Sequence, residues 1–452
     1  MIEMFSNIPS QPMLYQMGLF LTVALAVESL VRIRYLKWAF GSLAFCTIGL
    51  WYFIDPIYRA EEYTSRFSVD EQSAAYAQVI VFLLALRLSL ETFVGRTRSS
   101  VLRGFDPNIF ASQRVAKALI TLWAVLFFIG VARMDFRVLD ALFPVSGRWD
   151  RLWARPRFGG STAFLVSVGE YSYQIICAGF GLVAVATRKR RVRSLMIIMM
   201  LITWPMFLLS GTRHHLLAVG LPTVLAILVL KQWSRAKQIS FLLILGLILN
   251  TAFLIVIQYR NSGISNFFEE RYAYEEEPAE TKHLGLNMPM ELMYLQTYQE
   301  NGDIAIEWGY NYFAHVVNFV PRAVWADKPF PGEEFSDLRV GRNYRGDVNA
   351  TISHGIVGQG VTNFGPWLGP IAAALIICSL TGWTCQLTSH GNPFLRACLI
   401  LVVMGKIPNL GRDLTLFAAW PVIFGYAGIV FYEKQTGTKR NATSKRKTPQ
   451  AS

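Results

Sequence analysis

The run ISFLLILGLILNTAFLIVIQ at residues 239–258 carries no charged side chain, and YRNSG at 259–263 follows it directly. A helix of about 20 mostly apolar residues is about 30 Å long, the thickness of bilayer hydrocarbon, so this run predicts a membrane span. Beyond it lies a polar stretch of roughly 100 residues, Arg260 to about Phe364, far longer than an ordinary connection. Similar apolar windows recur on both sides and predict about eleven helices, at 13–31, 38–56, 74–93, 117–134, 161–186, 194–211, 214–230, 239–258, 365–385, 394–410 and 412–432. The chain is 53% hydrophobic and 16% charged with a mean hydropathy of +0.35, which excludes a soluble globular domain. The expected fold is therefore all-α: a polytopic transmembrane helical bundle of about eleven spans with one large extracytoplasmic loop.

Charge sets the orientation. Arg32/Arg34/Lys37, Arg96/Arg98/Arg103/Arg114, the basic run Arg188–Arg193, Lys231/Arg235/Lys237 and the tail from Lys439 to Lys447 all fall on one side if each run crosses once. The positive-inside rule makes that side cytoplasmic, with the amino terminus outside and the carboxyl terminus inside. The outer side then receives 57–73, 135–160, 211–213, the long stretch and the junction at 409–412. Two of these loops are basic against the rule: 135–160 holds Arg137, Arg148, Arg151, Arg155 and Arg157, and the long stretch holds Arg260, Arg271, Arg322, Lys328, Arg339, Arg342 and Arg345. Such cations serve an anionic ligand, or else they pair with Asp135, Asp140, Asp150, Glu275–Glu277 or lipid phosphates.

The expected organisation is a first bundle at 1–258, a periplasmic loop at 259–364, three last spans at 365–432 and a disordered basic cytoplasmic tail at 433–452. Within the loop, 289–300 and 304–320 have helical apolar spacing and are expected to lie against the membrane, the second through Trp308, Tyr310, Tyr312, Phe313 and Phe319. Residues 332–348 are polar and turn-rich and read as a mobile lid. The net charge of +13 belongs to a lipid-embedded chain, so nucleic acid is not an expected partner and anionic lipid is. Cys46, Cys177, Cys378, Cys385 and Cys398 include no CxxC pair, which predicts neither a disulfide framework nor a metal site. Glu3 before the first apolar run and Arg32, Arg34 and Lys37 after it describe an uncleaved first span. Arg87 and Glu91, four apart, are expected to pair, and Glu170, Tyr171, Tyr173 and Gln174 should face the bundle interior, as an acceptor groove or as interhelical bonds.

The sixth and seventh spans meet at Ser210-Gly211-Thr212-Arg213-His214-His215 with almost no loop. This places Arg213 at the outer surface, where a guanidinium grips phosphate or snorkels to lipid headgroups. Ser-Gly-Thr-Arg at that position, followed by a long outer loop, resembles the Wzy-type oligosaccharide repeat-unit polymerases, including the enterobacterial common antigen polymerases. Phe319-Val320-Pro321-Arg322-Ala323-Val324-Trp325-Ala326-Asp327-Lys328-Pro329 is similar to that family's Pro-x-x-x-Trp-x-x-(Lys/Arg)-Pro segment. Ile352-Ser353-His354-Gly355-Ile356-Val357-Gly358 with Asn363-Phe364-Gly365 resembles its approach to the next span, and Gly411-Arg412-Asp413 resembles an Arg-acidic pair opening its last span. Arg260 and Glu291 match in order. Gln359 stands where many relatives carry a carboxylate, a departure that puts a base at that position in doubt.

The resemblance implies a GT-C-like, multi-pass protein of the bacterial inner membrane with its site on the periplasmic side. It implies transfer of a growing glycan from polyprenyl diphosphate onto the end of a new polyprenyl-diphosphate-linked repeat unit, without metal or other cofactor, and leaves open a chain-length-regulating partner. Such a transfer needs cations for the diphosphate and a base for the acceptor hydroxyl. Arg213, Arg260, Arg322, Lys328 and Arg412 are the candidates for the first role. His354 is the favoured base, with Glu291, Asp413, His315 and His214 as rivals. Two other functions fit the same layout: an O-antigen ligase with a lipid core as acceptor, and a transporter or flippase for a lipid-linked glycan.

Overall fold

Helix boundaries follow local chemistry. The first helix, α1 (Met13–Val31), starts after Pro12, and α2 (Leu36–Phe53) ends at Ile54, where Asp55-Pro56 restarts the chain as the single turn α3 (Asp55–Tyr58). After α4 (Ala60–Arg66), Ser68 opens α5 (Val69–Thr92) with a capping box: its hydroxyl accepts from the Glu71 N–H while the Glu71 carboxylate accepts from the Ser68 N–H at 2.7 Å. The cap explains why α5 begins before the apolar window expected at 74. There follow α6 (Gln113–Ala132), α7 (Val138–Leu142), α8 (Ala163–Ala186), α9 (Arg190–Leu209), α10 (Arg213–Leu230), α11 (Arg235–Gln258), α12 (Met288–Glu300), α13 (Tyr310–Val317), α14 (Glu333–Val340) and α15 (Gly355–Leu387). This computed structural model describes residues 11–33, 35–94, 113–144, 152–153, 163–209, 213–231, 233–258, 287–317, 320, 324–325, 327–329, 332–342, 352–387, 427–428 and 430–431. Among them there is no strand.

Among the described residues six stretches are long and apolar enough to cross a membrane: α1, α2 with α3, α5, α6, α9 and α15. Their outward residues are the apolar ones, for example Phe20 and Val27 on α1 and Val125 and Phe128 on α6, as a helical protein embedded in lipid requires. Helices α8, α10 and α11 coincide with three further expected spans, and the expected spans at 394–410 and 412–432 lie outside the described residues apart from four positions.

Packing divides the described helices into two clusters. Helices α1, α2 and α5 share a core with α12 and α15, centred on Tyr15, Phe53, Tyr76 and Phe82 with Met288, Leu292 and Val361. Helices α6, α8, α9 and α10 share the other, around Tyr173, Phe180, Met196 and Phe207. The expected Arg87–Glu91 pair forms at 3.3 Å, but Glu28 of α1 binds Arg87 more tightly, with two bonds of 2.7 and 2.8 Å.

Two expectations for the long stretch are corrected. Helix α12 is a core element: its Met288, Met290, Leu292, Met293 and Leu295 are buried against α2, α5 and α15, so it does not lie on the lipid surface. Part of the supposed lid is helix α14, anchored by buried Phe335 and Ser336. Helix α13, in contrast, turns Tyr310, Phe313 and Val316 outward.

Helix α15 is two arms. Gly365 has φ 77° and ψ 178°, a conformation nearly exclusive to glycine, and Pro366 follows it. In a straight helix Gly360 and Gly369 would be about 13 Å apart along the axis. Here a Cβ on Gly360 would lie 2.2 Å from the Gly369 carbonyl oxygen, so the arms 355–364 and 366–387 fold back on each other with backbones touching. The second arm matches the ninth expected span; the first is buried in protein almost throughout.

Candidate functional site

The first arm of α15 carries polar side chains that no lipid would tolerate, and each finds protein. Asn363 donates to the Gln359 carbonyl at 2.7 Å and its Oδ1 accepts from the Tyr312 N–H at 3.3 Å. Gln359 donates to Asn311 Oδ1 at 3.4 Å, and the Glu307 N–H donates to the Thr362 carbonyl at 2.9 Å. The Val357 N–H, one of the donors that a helix start leaves open, is taken by the Tyr52 hydroxyl of α2 at 3.1 Å. Gly355, at φ 78°, makes that approach possible: a Cβ there would overlap the Tyr52 oxygen at 2.0 Å.

His354 sits at the entry to this arm, buried. Its Nε2 lies 2.8 Å from the Thr362 hydroxyl, its ring packs on Phe335 with centroids 4.8 Å apart, and its Nδ1 has no hydrogen-bond partner among the described residues. Burial pushes its pKa down to about 4; the Glu291 charge opposes that shift and His315 adds to it. The imidazole is therefore neutral near pH 7. Two of its four rivals, Glu291 and His315, are thus electrostatic neighbours of His354.

Glu291 is fully buried on α12 and held as a carboxylate. Arg339 of α14 donates to its two oxygens at 2.8 and 3.2 Å, and Asn287 donates to Oε1 at 2.9 Å. The same guanidinium covers the Tyr294 ring at 3.9 Å, while the Tyr294 hydroxyl accepts from Arg66 at 2.8 Å. From Arg66 an alternating series runs back through Glu62 and Arg59 to Asp55, whose carboxylate accepts from Tyr63 at 2.9 Å. Ion pairs thus tie α3 to α4 and α12 to α14, and the Arg66–Tyr294 hydrogen bond joins the two sets. Nearby Glu307 is pushed up to about 7, by burial first and by Glu334 second.

Of the expected cation set, Lys328 donates to the Val320 carbonyl at 2.8 Å within its own loop. Arg213 opens α10, but its side chain, like that of His214, lies outside the described residues, as do Arg260, Arg322, Arg412 and Asp413 entirely. Arg339 and Arg342, counted among the outward cations, are answered by carboxylates: Arg342 by Glu333 at 3.0 Å and Asp337 at 2.9 Å. Arg137 of the other basic loop likewise meets Asp140 at 3.4 Å.

In the second cluster Glu170 of α8 lies 3.3 Å from His215 of α10, both buried, and Trp123 donates to the Tyr173 hydroxyl at 2.9 Å. Glu170 and Tyr173, two of the four polar residues of the fifth span, thus make interhelical contacts. Sequence reading missed Arg339, Thr362 and Tyr52 as members of the site around His354; only contacts with Glu291, His354 and Val357, across 48, 8 and 305 positions, give them a role. Among the described residues no three His, Cys, Asp or Glu side chains converge to hold a metal ion. Comparison with protein-family models, curated proteins and solved structures finds no match.

Chemically, the site offers a neutral imidazole with one buried, unpartnered nitrogen beside a fixed carboxylate–guanidinium pair. The neutral ring can accept a proton and carries no charge with which to hold an anion.

Proposed function

We propose that the chain is a membrane glycosyltransferase that polymerises polyprenyl-diphosphate-linked oligosaccharide repeat units at the periplasmic face of the bacterial inner membrane. The observation that carries this reading is the buried, neutral His354, presented by the long outer stretch and the folded arm of α15 within the segment that resembles the polymerase family. In the proposed step an acceptor sugar hydroxyl attacks the anomeric carbon of the donor glycan. The bond from that carbon to the diphosphate breaks, polyprenyl diphosphate leaves with the electron pair, and the hydroxyl proton passes to His354 Nδ1.

Glu291 is assigned a supporting role, because Arg339 and Asn287 already occupy its oxygens. Arg213, Arg260, Arg322, Lys328 and Arg412 are proposed to offset the charge growing on the leaving diphosphate, so that the reaction needs no divalent cation.

The test is purified protein in detergent given a lipid-linked repeat unit alone. A ladder of longer lipid-linked products that survives chelation supports the polymerase. No product until a lipid core acceptor is added would make it a ligase. No glycosidic bond under either condition would leave transport as the function and overturn the proposal.

A further inference from the structure

The Thr362 hydroxyl has two neighbours and one proton. It lies 2.8 Å from His354 Nε2 and 3.1 Å from the Gly358 carbonyl. If the proton went to Nε2, the Gly358 contact would be unmade and the imidazole would carry its own proton on buried, unpartnered Nδ1. If it goes to the Gly358 carbonyl, the common back-bond of a helical threonine, the oxygen is free to accept from Nε2–H and both contacts are made. Only the second arrangement satisfies every donor.

The ring is also held in place to make this bond. It lies along the first arm of α15, spanning two turns from position 354 to 362, and Gly358 leaves the room: a Cβ there would stand 2.9 Å from His354 Cδ2. Phe335 closes the other side.

We propose that Thr362 is a positioning residue that fixes His354 as the Nε2–H tautomer, leaving Nδ1 as the bare lone pair that takes the proton from a sugar hydroxyl. A group that meets this lone pair must be a hydrogen-bond donor, and in the function proposed above it is a sugar hydroxyl. Its catalytic meaning rests on the function proposed above; the tautomer itself does not. A threonine acting here controls which nitrogen is basic, as an orienting partner does in hydrolase triads.

The experiment is nitrogen-15 NMR of the full-length protein labelled at histidine, in lipid nanodiscs at pH 7, with the His354 signals assigned by their loss in His354→Gln. The expected result is a single neutral Nε2–H imidazole in the wild type, retained in Thr362→Ser and converted to a tautomer mixture in Thr362→Val. With a lipid-linked repeat unit, Thr362→Val should lower kcat by roughly 10²-fold with little change in KM, inside the range for general-base catalysis, and Thr362→Ser should recover most of it. A wild-type Nδ1–H tautomer overturns the proposal whatever the variants do, as does an unchanged spectrum in a folded Thr362→Val protein. An Nε2–H wild type with no transferase activity leaves the role of Thr362 standing and removes the polymerase reading instead.

Discussion

Replacing Arg339 with alanine strands the Glu291 carboxylate in the core. The pair has two charged hydrogen bonds of 2.8 and 3.2 Å, Glu291 is fully buried and Arg339 partly so, and the guanidinium also covers Tyr294 at 3.9 Å. Removing one partner of such a pair costs about 3–5 kcal/mol, because the remaining charge keeps its desolvation penalty and loses its compensation. Replacing both residues with methionine removes that penalty and should land near the wild type. The pair formed by Arg342 with Glu333 and Asp337 is the built-in control: it is solvent-exposed, and Arg342→Ala should change stability little. Tryptophan fluorescence during unfolding in mixed detergent and SDS micelles measures all three. If Arg339→Ala falls within about 1 kcal/mol of the wild type, the size of an exposed pair, Glu291 is not isolated from water and its place beside His354 must be redrawn.

Other consequences are as direct. Gly360→Ala or Gly369→Ala forces a methyl into backbone at 2.2–2.4 Å and should cost at least the roughly 1–3 kcal/mol of overpacking and open the fold at Gly365, whereas Gly382→Ala, with its nearest neighbour at 3.5 Å, should be tolerated in the same unfolding assay. Glu307, held at about 7 against an ordinary 4.5, keeps a proton that the unfolded chain has released, so its stabilisation is complete below 4.5 and lost as pH rises through 7; Glu307→Gln should abolish that alkaline loss in a pH series of melting curves. His354, held at about 4 against 6.5, gives the opposite slope: the unfolded chain takes up a proton first, stability declines from pH 6.5 towards 4, and His354→Gln flattens that limb. In the polymerisation assay, Arg213→Ala and Arg412→Ala should abolish chain extension while the protein still inserts, and normal ladders would take both out of the diphosphate site.

What the sequence revealed and what it hid follow from which solvent each segment faces. Helix α1 occupies the window expected for it, because its outward face is read directly as hydropathy. The first arm of α15 was invisible as a helix, since Gln359, Thr362 and Asn363 answer to protein neighbours rather than to lipid. Nothing local to Glu291 announces that Arg339, 48 residues on, will meet it in the core. The basic loops misled in part for the same reason: a guanidinium count cannot distinguish Arg339, committed to Glu291, from a cation kept for a ligand. Thr362 as a partner of His354 required the ring and the arm in one frame.

The core shared by α1, α2, α5, α12 and α15 joins the beginning of the chain to a region far downstream. Some 260 residues separate the end of α5 from the start of α15. At about 5–20 residues per second the ribosome needs roughly 10–50 s to make them, and for that interval the first three helices sit in the bilayer with the face meant for α15 open. Biogenesis therefore has a waiting period, and this cluster is complete only once translation delivers its last tenant.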